Sequence, residues 1–380
     1  MLSVGTTYPM IRPPYTRIVE QLPSITPFVG PETIERRQGV SFKVRLGANE
    51  SAFGVSPKAQ VAMAEAASGV AWYCDPEGYV LRSELAQQHG VALENVILGA
   101  GIDDLLGLIV RTFMNPGAVV VASHGSYPTF AYHITGYGGR METVPYRNDR
   151  NDLLALTDHA ASQQASILFL ANPDNPTGSF FGAAAISDLI DRLPENCLFI
   201  LDEAYLDFVP SDTILPMDCS DPRIIRVRTF SKAHGMAGAR IGYALAHEEV
   251  ISTFNKIRLH FGVSLISQVG AIASLHDPAF VAGVVHAVEE GRRDYDRIAR
   301  EAGVSTLPSL TNFVTFDFET RERAERVMDA MIGQGVFLRK PVVPVLNRLV
   351  RVTVGSQKDR AVFEEIFRRV MKTQQVHSAL

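Results

Sequence analysis

Residues 166–178 read SILFLANPDNPTG, and their reading decides the fold. The first six are a short, nearly continuous apolar run, the pattern of a strand covered on both faces rather than one half-exposed to water. The run stops at two Asn-Pro steps, Asn172-Pro173 and Asn175-Pro176, which make a rigid turn where the strand ends. Residues 96–98, 118–122, 198–201 and 224–227 repeat the pattern, each a buried strand followed by turn or polar residues. Between them, residues 103–113 and 183–193 show helical spacing. Strand and helix in alternation predict an α/β fold, a doubly wound and mostly parallel sheet with helices on both faces.

Further along, a helical pattern over 278–302 gives way to a strand over 313–316, a helix over 321–334 and a strand over 349–353, an α+β layout. A chain of 380 residues exceeds the size at which one core stops growing, so two domains are expected. The expected division is an N-terminal arm with part of the small domain over 1–40, a large domain over 41–276 and a small C-terminal domain over 277–380. Hydrophobic residues at 46% and charged residues at 20% suit a globular chain. A net charge of -5 provides no broad cationic field, so neither nucleic acid nor an anionic membrane is expected as a partner. Cys74, Cys197 and Cys219 are far apart and form no CxxC pair, which speaks for a reducing compartment and against a disulfide framework or zinc. Residues 1–20 contain Arg12, Pro13, Pro14 and Arg17 but no apolar core of the signal-peptide kind, so a cytoplasmic location is expected. His124, His133 and His234 are scattered singly, and none is read as a metal ligand or base.

In open α/β sheets ligands collect beyond the carboxyl ends of the strands. Residues 99–104 follow the first of these runs with Gly99, Ala100 and Gly101 opening a helix, whose free N–H groups can hold a phosphate. The strand end after residues 166–171 offers the amide of Asn175. Asp202 and Tyr205 follow residues 198–201, and a carboxylate buried there needs a cationic partner. Thr229, Ser231, Lys232 and, a little later, Arg240 follow residues 224–227. One ligand would satisfy all four strand ends: a phosphorylated pyridine aldehyde.

At these residues the chain resembles the fold-type I aminotransferases of class I/II, in their histidinol-phosphate aminotransferase-like branch. The matching stretches are YCDPEGYVLR at 73–82, NPDNPTG at 172–178, DEAY at 202–205, SKAHGMAGARIG at 231–242 and VRVTVGS at 350–356, in family order over nearly the whole chain. The resemblance implies the PLP-dependent transferase fold, a large sheet domain with a smaller α+β domain, and pyridoxal 5'-phosphate (PLP) as cofactor. It implies that Lys232 holds PLP as a Schiff base and moves the Cα proton, that Asp202 pairs with the pyridine nitrogen, and that Asn175 and Tyr205 bond the ring's phenolic oxygen. Phe130 would stack on the ring. Gly101, Ile102, Asp103, Thr229, Ser231 and Arg240 would surround the phosphate, with Tyr73 reaching it from the other subunit of a homodimer. Arg351 would receive the substrate's carboxylate in bidentate fashion, with Asn49, Phe28 and Arg339 completing the substrate site.

The reaction implied is transamination between a small-molecule amino donor and a 2-oxo acid, with histidinol phosphate and 2-oxoglutarate first in order. An aromatic amino acid aminotransferase is the near alternative, since Phe28 stands where the group has a Tyr and makes the entrance more apolar. A PLP-dependent decarboxylase of a phosphorylated amino acid shares the fold and lysine. The effector-binding module of a PLP-sensing regulator would need a basic DNA-binding domain.

Overall fold

Alternation inside the apolar runs explains why they are strands with two covered faces. Ile167 and Phe169 pack into one core with Leu105, Ile109, Phe130 and Ile134. Leu168 and Leu170 point the other way, into a second core with Leu156, Ala160, Ile186 and Leu189. The computed structural model describes residues 13–24 and 29–378. In chain order its strands are β1 (Val44–Arg45), β2 (Val96–Gly99), β3 (Val119–Ser123), β4 (Arg140–Val144), β5 (Ile167–Ala171), β6 (Leu198–Asp202), β7 (Ile224–Thr229), β8 (Gly242–Ala246), β9 (Ser305–Leu307), β10 (Phe313–Asp317), β11 (Val336–Phe337) and β12 (Leu349–Thr353).

The large sheet has seven strands in the order β2-β8-β7-β6-β5-β3-β4. Its strands are parallel except β8, which runs antiparallel to both β7 and β2. The helices Ile102–Phe113 and Pro128–Gly136 cover one face, and Leu153–Ser162 and Ala183–Asp191 the other. Strands β4 and β8 were not among the expected ones.

The small domain is built on the antiparallel sheet β12-β10-β9. Phe316 packs there against Tyr295 of the long helix Pro278–Glu301 and against Phe363 and Phe367 of the C-terminal helix Gln357–Ser378, while Phe313, on the other face of β10, meets Tyr205. The N-terminal boundary differs from expectation. β1 pairs in parallel with β11, and Val44 and Leu46 are buried in the small-domain core. The Leu46 N–H donates to Phe337 O at 2.9 Å and Thr353 N–H donates to Leu46 O at 2.8 Å. The small domain's share of the N-terminal segment thus runs at least to Leu46 rather than ending at residue 40, because a two-residue strand is stable only when it is paired and its apolar residue, here Val44, is covered. The long helix starts at Pro278, beside the expected boundary at 277.

Candidate active site

The carboxyl ends of β2, β5, β6 and β7 meet one edge of the small domain around a cavity of about 520 Å³. That is room for a drug-sized ligand or a cofactor with its substrate. Ile102, Asp103, Asn175, Asp202, Tyr205, Thr229, Ser231, Lys232, Arg240, Asn49, Arg339 and Arg351 all line it, so most of the residues singled out in the sequence converge on one space.

Asp202 closes β6 at the cavity floor, only 6% exposed. One of its oxygens accepts the Ala204 N–H at 3.0 Å. Burial pushes its carboxyl up to about 7, against the downward pull of that hydrogen bond and of the Lys232 charge. Such a group is well placed to share or hold a proton with a ring nitrogen. Lys232 faces it from the loop after β7. Burial, reinforced by the positive charge of Arg351, pushes its ammonium down to about 8, so a neutral amine is accessible near physiological pH. Its Nζ donates to Asn49 O at 3.0 Å.

Tyr205 is buried, its phenol pushed up to about 12 by burial. Asn49 Nδ2 donates to its oxygen at 2.8 Å, leaving the phenolic hydrogen for an acceptor in the cavity. Asn49 itself sits in the left-handed region at φ 55, fixed by Thr353 Oγ1 donating to its Oδ1 at 3.0 Å. Asn175 Oδ1 accepts from Arg351 Nη1, and Arg351 Nη2 donates to Gly47 O at 3.0 Å. The third nitrogen of Arg351, Nε, is buried without a hydrogen-bond partner. A buried orphan donor at a cavity wall asks for an anion.

The opposite wall forms an anion cradle. Gly101 enters the helix Ile102–Phe113 at φ 86, and a Cβ there would lie 2.6 Å from Arg240 Nη2, so the guanidinium rests directly on the glycine. Gly101 is therefore behind the wall and supports it, while Ile102 and Asp103 face the cavity. Thr229 Oγ1 donates to Ser231 Oγ at 2.9 Å beside them. Two hydroxyls, a guanidinium and a helix N-terminus together suit a phosphate.

One expectation is corrected. Phe130 does not line the cavity: it is fully buried, its ring 4.5 Å from that of Phe169. The helix Pro128–Gly136 turns Phe130 and Ile134, four residues apart, together onto the sheet. Tyr127, just before the helix, supplies the cavity's aromatic instead. Tyr73 is 84% exposed on the outer surface, with its ring 4.5 Å from Phe261, and does not line this chain's cavity. Phe28 lies outside the described residues. Sequence reasoning missed Tyr127, Glu50 and the apolar wall of Pro341, Val342 and Val343. Tyr127, three residues from Phe130 in the same turn, was the one within reach of a motif.

Residues 42–370 match the profile of the family described as aminotransferase class I and II. The chain belongs to this family. Among relatives it is 33% identical over 359 residues to a histidinol-phosphate aminotransferase of Moorella thermoacetica, covering 93% of this chain and 92% of that one. It is 34% identical over 342 residues to one of Anaeromyxobacter sp., covering 88% and 94%. A crystal structure of the histidinol-phosphate aminotransferase of Sinorhizobium meliloti in complex with pyridoxal-5'-phosphate superposes with a TM-score of 0.93 at 40% identity, covering 96% of this chain and 99% of that one. As an aminotransferase, the chain acts on small amino and oxo acids or their analogues.

Proposed function

We propose that the chain is a PLP-dependent aminotransferase that takes the amino group of histidinol phosphate and passes it to 2-oxoglutarate. The cavity suits the cofactor. Asp202 is a buried carboxylate awaiting an N–H cation, Lys232 a buried amine, and Arg240 with Thr229, Ser231 and the Ile102 helix a phosphate cradle. When bound, PLP supplies a carbonyl carbon that bonds to nitrogen and a protonated ring that draws electron density from the substrate's Cα. Asp202 keeps that ring nitrogen protonated. Asn175 Nδ2 and the Tyr205 hydroxyl are the donors for its phenolic oxygen. Lys232 would hold the cofactor at rest, and its neutral amine, once freed by the substrate nitrogen, would take the proton from Cα and deliver it to the cofactor carbon on the far side of that nitrogen, two bonds away.

The observation that carries the substrate reading is the pairing of two arginines. Arg339 and Arg351 face each other across an isolated antiparallel bridge, with Arg351 N–H donating to Arg339 O at 2.7 Å, and both line the cavity. Burial and the charge of Arg351 lower the Arg339 guanidinium to about 10. Two cations placed opposite one another repel unless a multiply charged anion lies between them. A phosphate monoester fits, and so does a dicarboxylate in the returning half-reaction. Pro341, Val342 and Val343 make an apolar neighbour to this pair and favour a second reading, an aromatic amino acid as donor.

Single-turnover conversion of the PLP form by histidinol phosphate and by phenylalanine, followed by loss of the visible cofactor band, separates the two. Faster conversion of histidinol phosphate is expected, and Arg339→Ala should slow it about tenfold or more while sparing phenylalanine. Faster conversion of phenylalanine by the parent enzyme would make the aromatic reading the right one.

The same reading includes a homodimer. Trp72, Tyr73, Leu259 and Phe261 are 81%, 84%, 66% and 49% exposed, an apolar patch of the kind that a second subunit covers. Tyr73 would then reach the partner's phosphate cradle. Three free cysteines agree with a cytoplasmic setting.

A further inference from the structure

The hairpin after β4 belongs to the large domain, yet it grips the small one beside the arginine pair. Arg147 and Arg150 pair across it, N–H to O, at 2.9 and 3.1 Å. Its two central residues, Asn148 and Asp149, have φ of 51 and 58, a tight turn that needs the left-handed region twice. The turn aims the Asp149 carboxylate at Arg348 Nη2, 2.6 Å away. Arg348 is also held from its own domain, its Nε 3.1 Å from Asp317. Both members of the cross-domain pair are largely shielded, with side chains 24% and 21% exposed.

A second tie leaves the same hairpin. Tyr146 packs against Leu346 and Leu349. Its hydroxyl donates to Asp174 Oδ1 at 3.0 Å, and Asn151 Nδ2 donates to the same oxygen at 3.1 Å. Asp174 immediately precedes Asn175, whose side-chain oxygen accepts from Arg351. Arg348 immediately precedes β12, which carries Arg351. Both ends of the Arg351 setting are thus anchored in one turn.

We propose that Asp149 is a positioning residue: through Arg348 it holds β12 against the large domain, so that Arg351 meets substrate anions in a fixed place relative to Lys232. Neither Asp149 nor Arg348 lines the cavity, so neither touches substrate. Their effect reaches it through the strand. The inference rests on the reading of Arg351 as an anion partner.

The test titrates the PLP-loaded enzyme with maleate, a dicarboxylate with no amino group, and reads its dissociation constant from the shift of the cofactor band. Asp149→Gly removes the carboxylate in a backbone conformation that glycine adopts freely, and Asp149→Asn removes only the charge. Both, and Arg348→Gln, should weaken maleate about three- to five-fold, the range of a partly screened ion pair. The Asp149→Gly, Arg348→Gln double variant should be no weaker than the singles. KM for 2-oxoglutarate should rise in step, with the thermal midpoint and the resting cofactor band held at parent values. Unchanged maleate binding in Asp149→Gly overturns the proposal, and so does a loss matched by falling thermal midpoint and cofactor occupancy. Arg351→Ala separates the two claims: if it leaves maleate binding intact, the anion site itself has been misread, whatever Asp149 does.

Discussion

Asp202 carries the clearest pH signature. Its carboxyl titrates near 7 in the folded protein, above the ordinary value of 3.8. The folded state therefore holds a proton that the unfolded chain has released between these values, and stability from this group is complete below about 4 and lost as pH rises through 7. In cofactor-free protein, Asp202→Asn should raise the thermal midpoint relative to the parent at pH 8 but not at pH 4.5. An equal effect at both pH values would mean that the carboxyl ionises normally. With PLP bound the same variant should lose activity by orders of magnitude, because an amide cannot hold the ring nitrogen protonated. At this scale the sequence reading was strongest where a residue's role follows from its chemical type. That Asp202, Lys232 and Arg351 would share one cavity was legible. Phe130 was not, because an aromatic one turn into a helix has two directions available, and only packing against Phe169 selects between them.

Among the elements, β6 and β7 share a buried ion cluster just behind Asp202. Glu203 accepts from Arg226 Nε at 3.0 Å and from Arg228 Nε at 2.8 Å, and the Arg226 and Glu203 side chains are 1% and 2% exposed. Arg226 also donates to Pro216 O at 2.8 Å and to Leu215 O at 3.1 Å, clamping the incoming loop. Glu203→Ala strands two guanidinium groups in a dry interior and should cost about 3–5 kcal/mol in a denaturant titration. A loss below about 1 kcal/mol would show that water reaches the cluster. Two strands of the large sheet escaped sequence reasoning for physical reasons. β4 is an edge strand, largely uncovered, and its RMETV has only Val144 buried. β8, Gly-Tyr-Ala-Leu-Ala, is rich in residues with weak strand preference and is held by its neighbours β2 and β7.

For the whole molecule, domain contact completes what one sheet begins, and the proposed homodimer would extend it. Trp72→Asp combined with Leu259→Asp should give a monomer by sedimentation, with weaker PLP retention because Tyr73 no longer reaches a partner's cradle. A parent protein that already sediments as a monomer would remove Tyr73 from the site. Sequence alone determined the α/β order of elements, the four polar strand ends and the chemistry they share, since local periodicity and side-chain type are written in short stretches of chain. It did not determine that residues 44–46 belong to the far domain, that Tyr127 rather than Phe130 faces the cavity, or that Arg339 stands opposite Arg351. Those depend on pairings between residues up to hundreds of positions apart, as when Asn49 meets Thr353 and Tyr205. Such contacts form only when packing brings distant surfaces together, and no local pattern encodes which surfaces those are.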